Sequence, residues 1–279
     1  MKIITAKLVL LALFFAFAVI ANAQKLPNVQ QTSLRVPANL KIDGKATEWD
    51  DKFQAYNKAT GVFYTIANDD DKLYLTIQAT NPQNITKIIM GGITFTITPS
   101  DNKKDKNGLA ITFPKYDKKN PPVYVILDNK PKSTKDTLKN KMQADSFLNA
   151  HNQQLNDKLK LIGVEGVKSI TDSVISIYNT EGIKAMALFD NKIYYTYELS
   201  VPLKQIGLTV AQQTKFSYNI RVNGPNKGNI RVIERDGYND ILTYTGADGV
   251  NYGIGLATPE NMTMAYPTDF WGEYTLAKK

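Results

Sequence analysis

The chain has 279 residues, no cysteine, a single histidine (His151) and a formal charge of +8. The lack of cysteine excludes disulfides, thiolate catalysis, Cys-ligated zinc and iron–sulfur clusters, and one histidine all but closes His-based triads and His-rich metal sites. Lys2 and Lys7 precede an unbroken apolar run, Leu8 to Ile20, and Ala21-Asn22-Ala23 forms an A-x-A site. Residues 1–23 therefore read as a cleavable signal peptide cut after Ala23, which implies a periplasmic or secreted protein. The run is short of the roughly 20 apolar residues a spanning helix needs, and no later stretch is apolar enough, so no membrane span is expected. Loss of 23 residues, Lys2 and Lys7 among them, leaves 256 residues at +6. One large β domain, residues 24–279, can absorb that length. The positive excess gathers between Lys103 and Lys160; nucleic acid is not the expected partner of an exported chain, whereas an acidic polymer or an anionic surface fits the charge.

Strict alternation of apolar and polar residues dominates the chain beyond residue 60. Val62–Ile66 and Leu73–Ala79 flank Asn68-Asp69-Asp70-Asp71, and Ile93, Phe95 and Ile97 are separated by threonines. Further on, Ile183–Phe189 and Ile193–Val201 flank Asp190-Asn191, and Phe216–Val222 runs into Asn223-Gly224-Pro225-Asn226. Period two predicts strands with one buried and one wet face, and Asn, Asp, Gly and Pro mark the turns. About a dozen such strands predict two packed antiparallel sheets, a mostly β sandwich. One region departs from this. Residues 100–131 are rich in Lys, Asp, Asn and Pro, with strand candidates at Leu109–Phe113 and Val123–Leu127. From Thr134 to about Leu161 the spacing of Leu138, Met142, Phe147, Leu155 and Leu159 is helical. Residues 100–161 thus read as an insertion carrying one or two helices beside the sandwich.

The segment from Ile230 to Trp271 interleaves Tyr238, Tyr244, Tyr252, Tyr266 and Trp271 with Arg231, Arg235, Asn239, Asn251 and Asn261. Flat rings with guanidinium and amide donors suit sugars, by stacking on C–H faces and by paired bonds to hydroxyls. Arg231, Tyr238, Tyr244, Tyr252 and Trp271 are the candidate ligand-binding residues. Asp69, Asp70 and Asp71 are a candidate Ca²⁺ site, since Ca²⁺ takes carboxylate oxygens, although a solvated hairpin turn accounts for the same residues. Trp49 has two readings, a stacking platform or a plug at the base of the sandwich aimed by the Asp43-Gly44 turn; the plug is the expected one. Glu48, Glu198, Glu234 and Asp236 show no pairing that would set two carboxylates across a glycosidic bond. Glu198, on the polar face of an alternating strand, is expected to be solvated, and no catalytic residue is assigned. Asn84-Ile85-Thr86 and Asn261-Met262-Thr263 match the glycosylation sequon.

Four stretches carry a resemblance when taken in order: Ile42-Asp43-Gly44-Lys45-Ala46-Thr47-Glu48-Trp49; Asp70-Asp71-Lys72-Leu73-Tyr74-Leu75; Glu198-Leu199-Ser200-Val201-Pro202-Leu203; and the closing Phe270-Trp271-Gly272-Glu273-Tyr274. They resemble the signatures of family-9-like carbohydrate-binding modules across roughly residues 35–277. The resemblance implies a β-sandwich that binds a poly- or oligosaccharide without chemistry of its own, with Trp49 mostly structural. Such modules are often attached to a hydrolase, which this sequence does not contain, and residues 100–161 have no counterpart in the short pattern. Two alternatives stand beside it. Some relatives of similar fold look like haem b carriers, which here would need His151 and a methionine. The other is a cell-envelope interaction module using the basic stretch 103–160.

Overall fold

The computed structural model describes residues 25–50, 52–98, 108–117, 119–122, 125, 127, 135, 137–212, 215–225, 230–235, 238–245, 251–258 and 263–279. Residues 1–23, read as the signal peptide, lie outside them. Fourteen strands and two α-helices are described. One antiparallel sheet has the order β1 (Ala55–Asn57), β2 (Val62–Asn68), β3 (Lys72–Ala79), β9 (Tyr195–Pro202), β8 (Lys184–Phe189). A second has the order β14 (Thr268–Thr275), β10 (Lys215–Val222), β4 (Ile93–Thr98), β5 (Leu109–Phe113), β6 (Leu161–Glu165), β7 (Val174–Ser176), also antiparallel throughout. A third, three-stranded sheet joins β11 (Ile230–Arg235), β12 (Tyr238–Thr245) and β13 (Asn251–Leu256).

The alternating apolar rows of the two large sheets share one core. Tyr64, Leu75, Ile77, Tyr197 and Leu199 come from the first sheet, and Phe95, Ile111, Phe113, Phe216 and Tyr218 from the second. The Tyr64 and Tyr218 hydroxyls bond across the gap at 2.9 Å, and the Phe113 and Tyr197 rings meet at 5.9 Å. Burying each such side chain contributes about 1.5–3 kcal/mol. The turns work as their residues predict: Asp69 Oδ1 accepts from the Asp71 and Lys72 N–H groups, and Asp190 Oδ1 from those of Lys192 and Tyr194.

Three readings change, and the expected one or two helices between Thr134 and Leu161 are met by one. The polar rows of the first sheet are not wet: Thr76, Gln78, Thr196, Glu198 and Ser200 are all buried. The segment before β1 lies over them, with the Trp49 indole N–H donating to Thr76 Oγ1 at 3.1 Å. A helix absent from the periodicity reading, α1 (Pro82–Gly91), follows β3. Asn81 caps it by accepting from the Gln83 and Asn84 N–H groups, Pro82 occupies its first turn, and Ile85, Ile88 and Ile89 enter the core. The expected helical stretch forms one helix, α2 (Thr137–Lys158). Its Leu138 and Met142 are exposed, and only the later turns reach the core through Leu148 and Leu155. There the Asn152 carboxamide bonds both the N–H and the C=O of Phe189 on the edge strand β8. Finally, residues 100–161 are not wholly an insertion, because β5 is an interior strand between β4 and β6. Of Val123–Leu127 only Val125 and Leu127 are described, and neither is in a strand.

Asn68, at the end of β2, ties both ends of the described chain to the first sheet. Its backbone pairs with Leu34 O and the Val36 N–H. Its carboxamide donates to Ala277 O at 3.0 Å and accepts from the Ala277 N–H at 2.7 Å and from the Tyr274 hydroxyl at 3.2 Å. Arg35 and Lys279 flank this knot, both ion-paired with the exposed Asp70. Asn68→Ala strands buried partners and is expected to cost about 2–4 kcal/mol in urea unfolding, while Asp70→Ala leaves the midpoint nearly unmoved. Equal losses would show that surface charge, not the carboxamide, holds the ends.

Candidate functional site

β14 is an edge strand of the second sheet, and its alternation decides what each side chain meets. Phe270, Gly272 and Tyr274 turn inward, while Asp269, Trp271 and Glu273 turn outward. Gly272 stands opposite Tyr218 in the ladder, and a Cβ there would lie 2.3 Å from the Tyr218 hydroxyl oxygen. Glycine at this position is what lets Tyr218 cross to Tyr64. Trp271 stands opposite Asn219, whose amide donates to Asp269 Oδ2 at 2.7 Å and to Phe270 O at 2.9 Å. One row along, Lys215 and Glu273 form an ion pair.

The free side of β14 borders a cleft of about 400 Å³. Residues 271–275 and Lys215 form one wall, and residues 29–33 form the other. The second wall is held by Gln30. Its amide accepts from the Ile66 N–H and donates to Ile66 O, both at 2.8 Å, in the manner of a strand partner, and it also donates to Thr32 O. The Gln30 N–H donates to the Tyr64 hydroxyl. Burial raises the Tyr64 and Tyr274 hydroxyls, Tyr274 to about 12, so both stay neutral, Tyr64 accepting from the Gln30 N–H behind this wall. The half-exposed Trp271 indole is therefore a flat apolar face among the hydroxyls of Thr32 and Ser33 and the amide of Gln31. The charged residues of the lining, Lys215 and Glu273, neutralise each other.

The other candidate binding residues lie in the third sheet. In its backbone register Arg231 faces Thr243, Tyr238 faces Arg235, and Tyr244 lies between Ile230 and Tyr252. Tyr244 and Tyr252 are thus ladder partners. The side chains of Arg231, Tyr238, Tyr244 and Tyr252 are outside the described residues, and Trp271 belongs to a different sheet.

Two of the three candidate Ca²⁺ ligands are already engaged. Asp69 closes the β2–β3 turn; burial raises its pKa, but bonds from the Tyr74 hydroxyl and the Asp71 and Lys72 N–H groups outweigh this and lower it. Asp70 is also lowered, by Lys279 and then Arg35. Asp71 is exposed, and its carbonyl accepts from the Leu203 N–H. No group of three His, Asp or Glu among the described residues is placed to hold a metal ion. Trp49 is buried, as its structural reading expects, but over the outer face of the first sheet with Ala46, Phe53 and Ala67, and not at the base of the sandwich. His151 is half-buried: its Nδ1 bonds Phe147 O, and its ring lies 4.1 Å from that of Phe147. In the first sequon, Asn84 donates its amide to Gly61 O. Asn261 of the second sequon, Asp236 and the Glu234 side chain lie outside the described residues.

Glu198 overturns its sequence reading most sharply. Its side chain is fully buried, with Oε2 accepting from the Asp43 and Gly44 N–H groups at 2.9 Å each. Burial pushes its pKa up to about 8, with Asp43 and Glu48 adding to the rise and the two N–H bonds opposing it. The signal available in the sequence was the pairing of the Ile42-Asp43-Gly44 and Glu198-to-Leu203 stretches, which the structure joins through these bonds.

No family model matches the chain, and no curated protein matches it significantly.

Gly272→Ala is expected to destabilise the protein by about 1–3 kcal/mol through overpacking. Tyr218→Leu in the same chain should reduce that increment, a coupling that a double-mutant cycle in urea measures. Strict additivity would place the strain elsewhere.

Proposed function

We propose that this protein is an exported, non-catalytic carbohydrate-binding protein, and that the cleft beside β14 takes an uncharged poly- or oligosaccharide. The observation that carries the reading is the half-exposed Trp271 indole, which lines a polar cleft. Pyranose rings present apolar C–H faces and a rim of hydroxyls, which match an aromatic platform bordered by hydroxyls and amides. The preference for uncharged sugar rests on the internal Lys215–Glu273 pair, which leaves the lining without net charge to attract or repel a uronate. The resemblance to family-9-like modules supports the same reading, through the ordered motifs and through two antiparallel sheets over one core. The signal-like segment at residues 1–23 supports export to the periplasm or beyond the cell.

Residues 24–279 titrated by calorimetry against neutral and uronate polysaccharides test this reading. The expected result is binding to a neutral glycan that changes less than about threefold between 50 and 500 mM salt, in keeping with a weak net charge, and that weakens at least tenfold in Trp271→Ala. Unchanged affinity in Trp271→Ala would remove the cleft from the mechanism, and binding confined to uronates would reverse the charge assignment.

A further inference from the structure

Independently of the sugar reading, we propose that Glu198 is a pH-sensitive latch that holds the segment 43–50 over the outer face of the first sheet. The geometry is specific. Gly44 has a φ of +79°, which a residue with a side chain adopts only with strain, and this turn aims two successive N–H groups at one carboxyl oxygen. The segment lies close on the sheet: a Cβ on Gly44 would sit 2.9 Å from the Leu188 nitrogen. Glu198 is fully buried, and its Oε1 has no hydrogen-bond partner among the described residues. Ser200 Oγ, two residues on along the same face of β9, is buried and also without a partner among them.

The groups around the latch make its ionisation costly. From the overlying segment, Asp43 and Glu48 add negative charge, while Lys45 points to solvent. From β3, Thr76 stands opposite Glu198, and Tyr74, whose hydroxyl is held by Asp69, stands opposite Ser200. From β8, Met186 stands opposite Glu198, and the exposed Lys184 stands opposite Ser200. None of these cations forms an ion pair with Glu198 among the described residues. A neutral carboxyl keeps its carbonyl oxygen as acceptor for both N–H groups, whereas an ionised one buries a charge beside two other acids.

The pH dependence has a definite sign. Glu198 is raised from its ordinary 4.5 to about 8, so the closed form holds the proton more tightly than the open form. Its contribution to closure is complete below about pH 4.5, declines as the pH rises, and is lost above about 8. Opening would uncover the polar floor of Thr76, Gln78, Thr196 and Ser200 and expose Trp49.

Hydrogen exchange of the Asp43 and Gly44 amides, corrected for intrinsic rates, reads the latch in the exported chain from pH 5 to 9.5. Trp49 emission in a Trp271→Phe chain reads it optically. Protection should fall at least tenfold between pH 6 and 9 in the wild-type chain and stay flat in Glu198→Gln, which keeps an acceptor and cannot ionise. A ¹³C carboxyl titration of wild-type Glu198 needs no variant and should report a midpoint near 8. A midpoint near 4.5, constant protection in the wild-type chain, or the same pH profile in Glu198→Gln would each overturn the latch.

Discussion

The buried carboxamide of Asn68 is the constraint on which the arrangement of the chain ends depends. It satisfies both the N–H and the C=O of Ala277, and its backbone does the same for the Leu34–Val36 segment. A single residue therefore sets where the N-terminal segment leaves the sheet and where the C-terminal tail ends. Tyr274 reinforces the arrangement, since its hydroxyl shares its one proton between Leu34 O and Asn68 Oδ1 and accepts from the Leu34 N–H. With these groups in place, and with Gln30 held on Ile66 and Tyr64, residues 29–33 run beside β14 and form the cleft's second wall. Buried amide networks of this kind stabilise only when every member is satisfied, which makes Asn68 hard to replace.

The N-terminal segment also changes the character of the first sheet. A two-sheet protein of this size would ordinarily leave the outer faces wet. Here Trp49 and its neighbours cover one of them, and the polar side chains beneath must find partners inside the protein. Most do: Thr76 receives the Trp49 N–H, and the Gln78 amide donates to Thr196 Oγ1. The exceptions are Glu198 and Ser200 of β9, and the core-facing Tyr195 and Tyr197 of the same strand also keep hydroxyls without a partner among the described residues. β9 is an inner strand between β3 and β8, and these groups are buried on it. The same desolvation lowers the pKa of a buried lysine on α1, Lys87, to about 8, where a single bond to Thr268 Oγ1 is its described contact.

The cleft and the covered face use tryptophan in opposite ways. Trp49 is enclosed and its N–H is satisfied, so its indole serves packing. Trp271 lies on an edge strand, where alternation turns it away from the core and Gly272 beside it leaves the inward space to Tyr218. A half-exposed ring placed by a strand is suited to stacking on a ligand at small entropic cost, because only two torsions need be held.

Much of this was legible in the residue pattern. Leu109–Phe113 is a strand with the bounds its alternation gives, and Asp69 and Asp190 close the turns their side chains favour. The inward rows of β2, β3, β4, β9 and β10 were readable because period two is a local property of the chain. The brief apolar spacing of α1 did not stand out between two strands, although Asn81 and Pro82 marked its start. The site was only partly readable: Trp271 was singled out, but nothing local indicated that residues 29–33 would face it.

The sequence by itself determined which residues alternate, where the turns fall, and so which side chains share a face. Only the tertiary structure decided what covers each face: that Glu198 is buried and not solvated, that β5 lies inside the second sheet, and that segments about 240 residues apart meet in one cleft. The reason is physical. A two-residue period records a strand's two sides, whereas burial depends on long-range pairing and on the path of the termini, which no local pattern encodes.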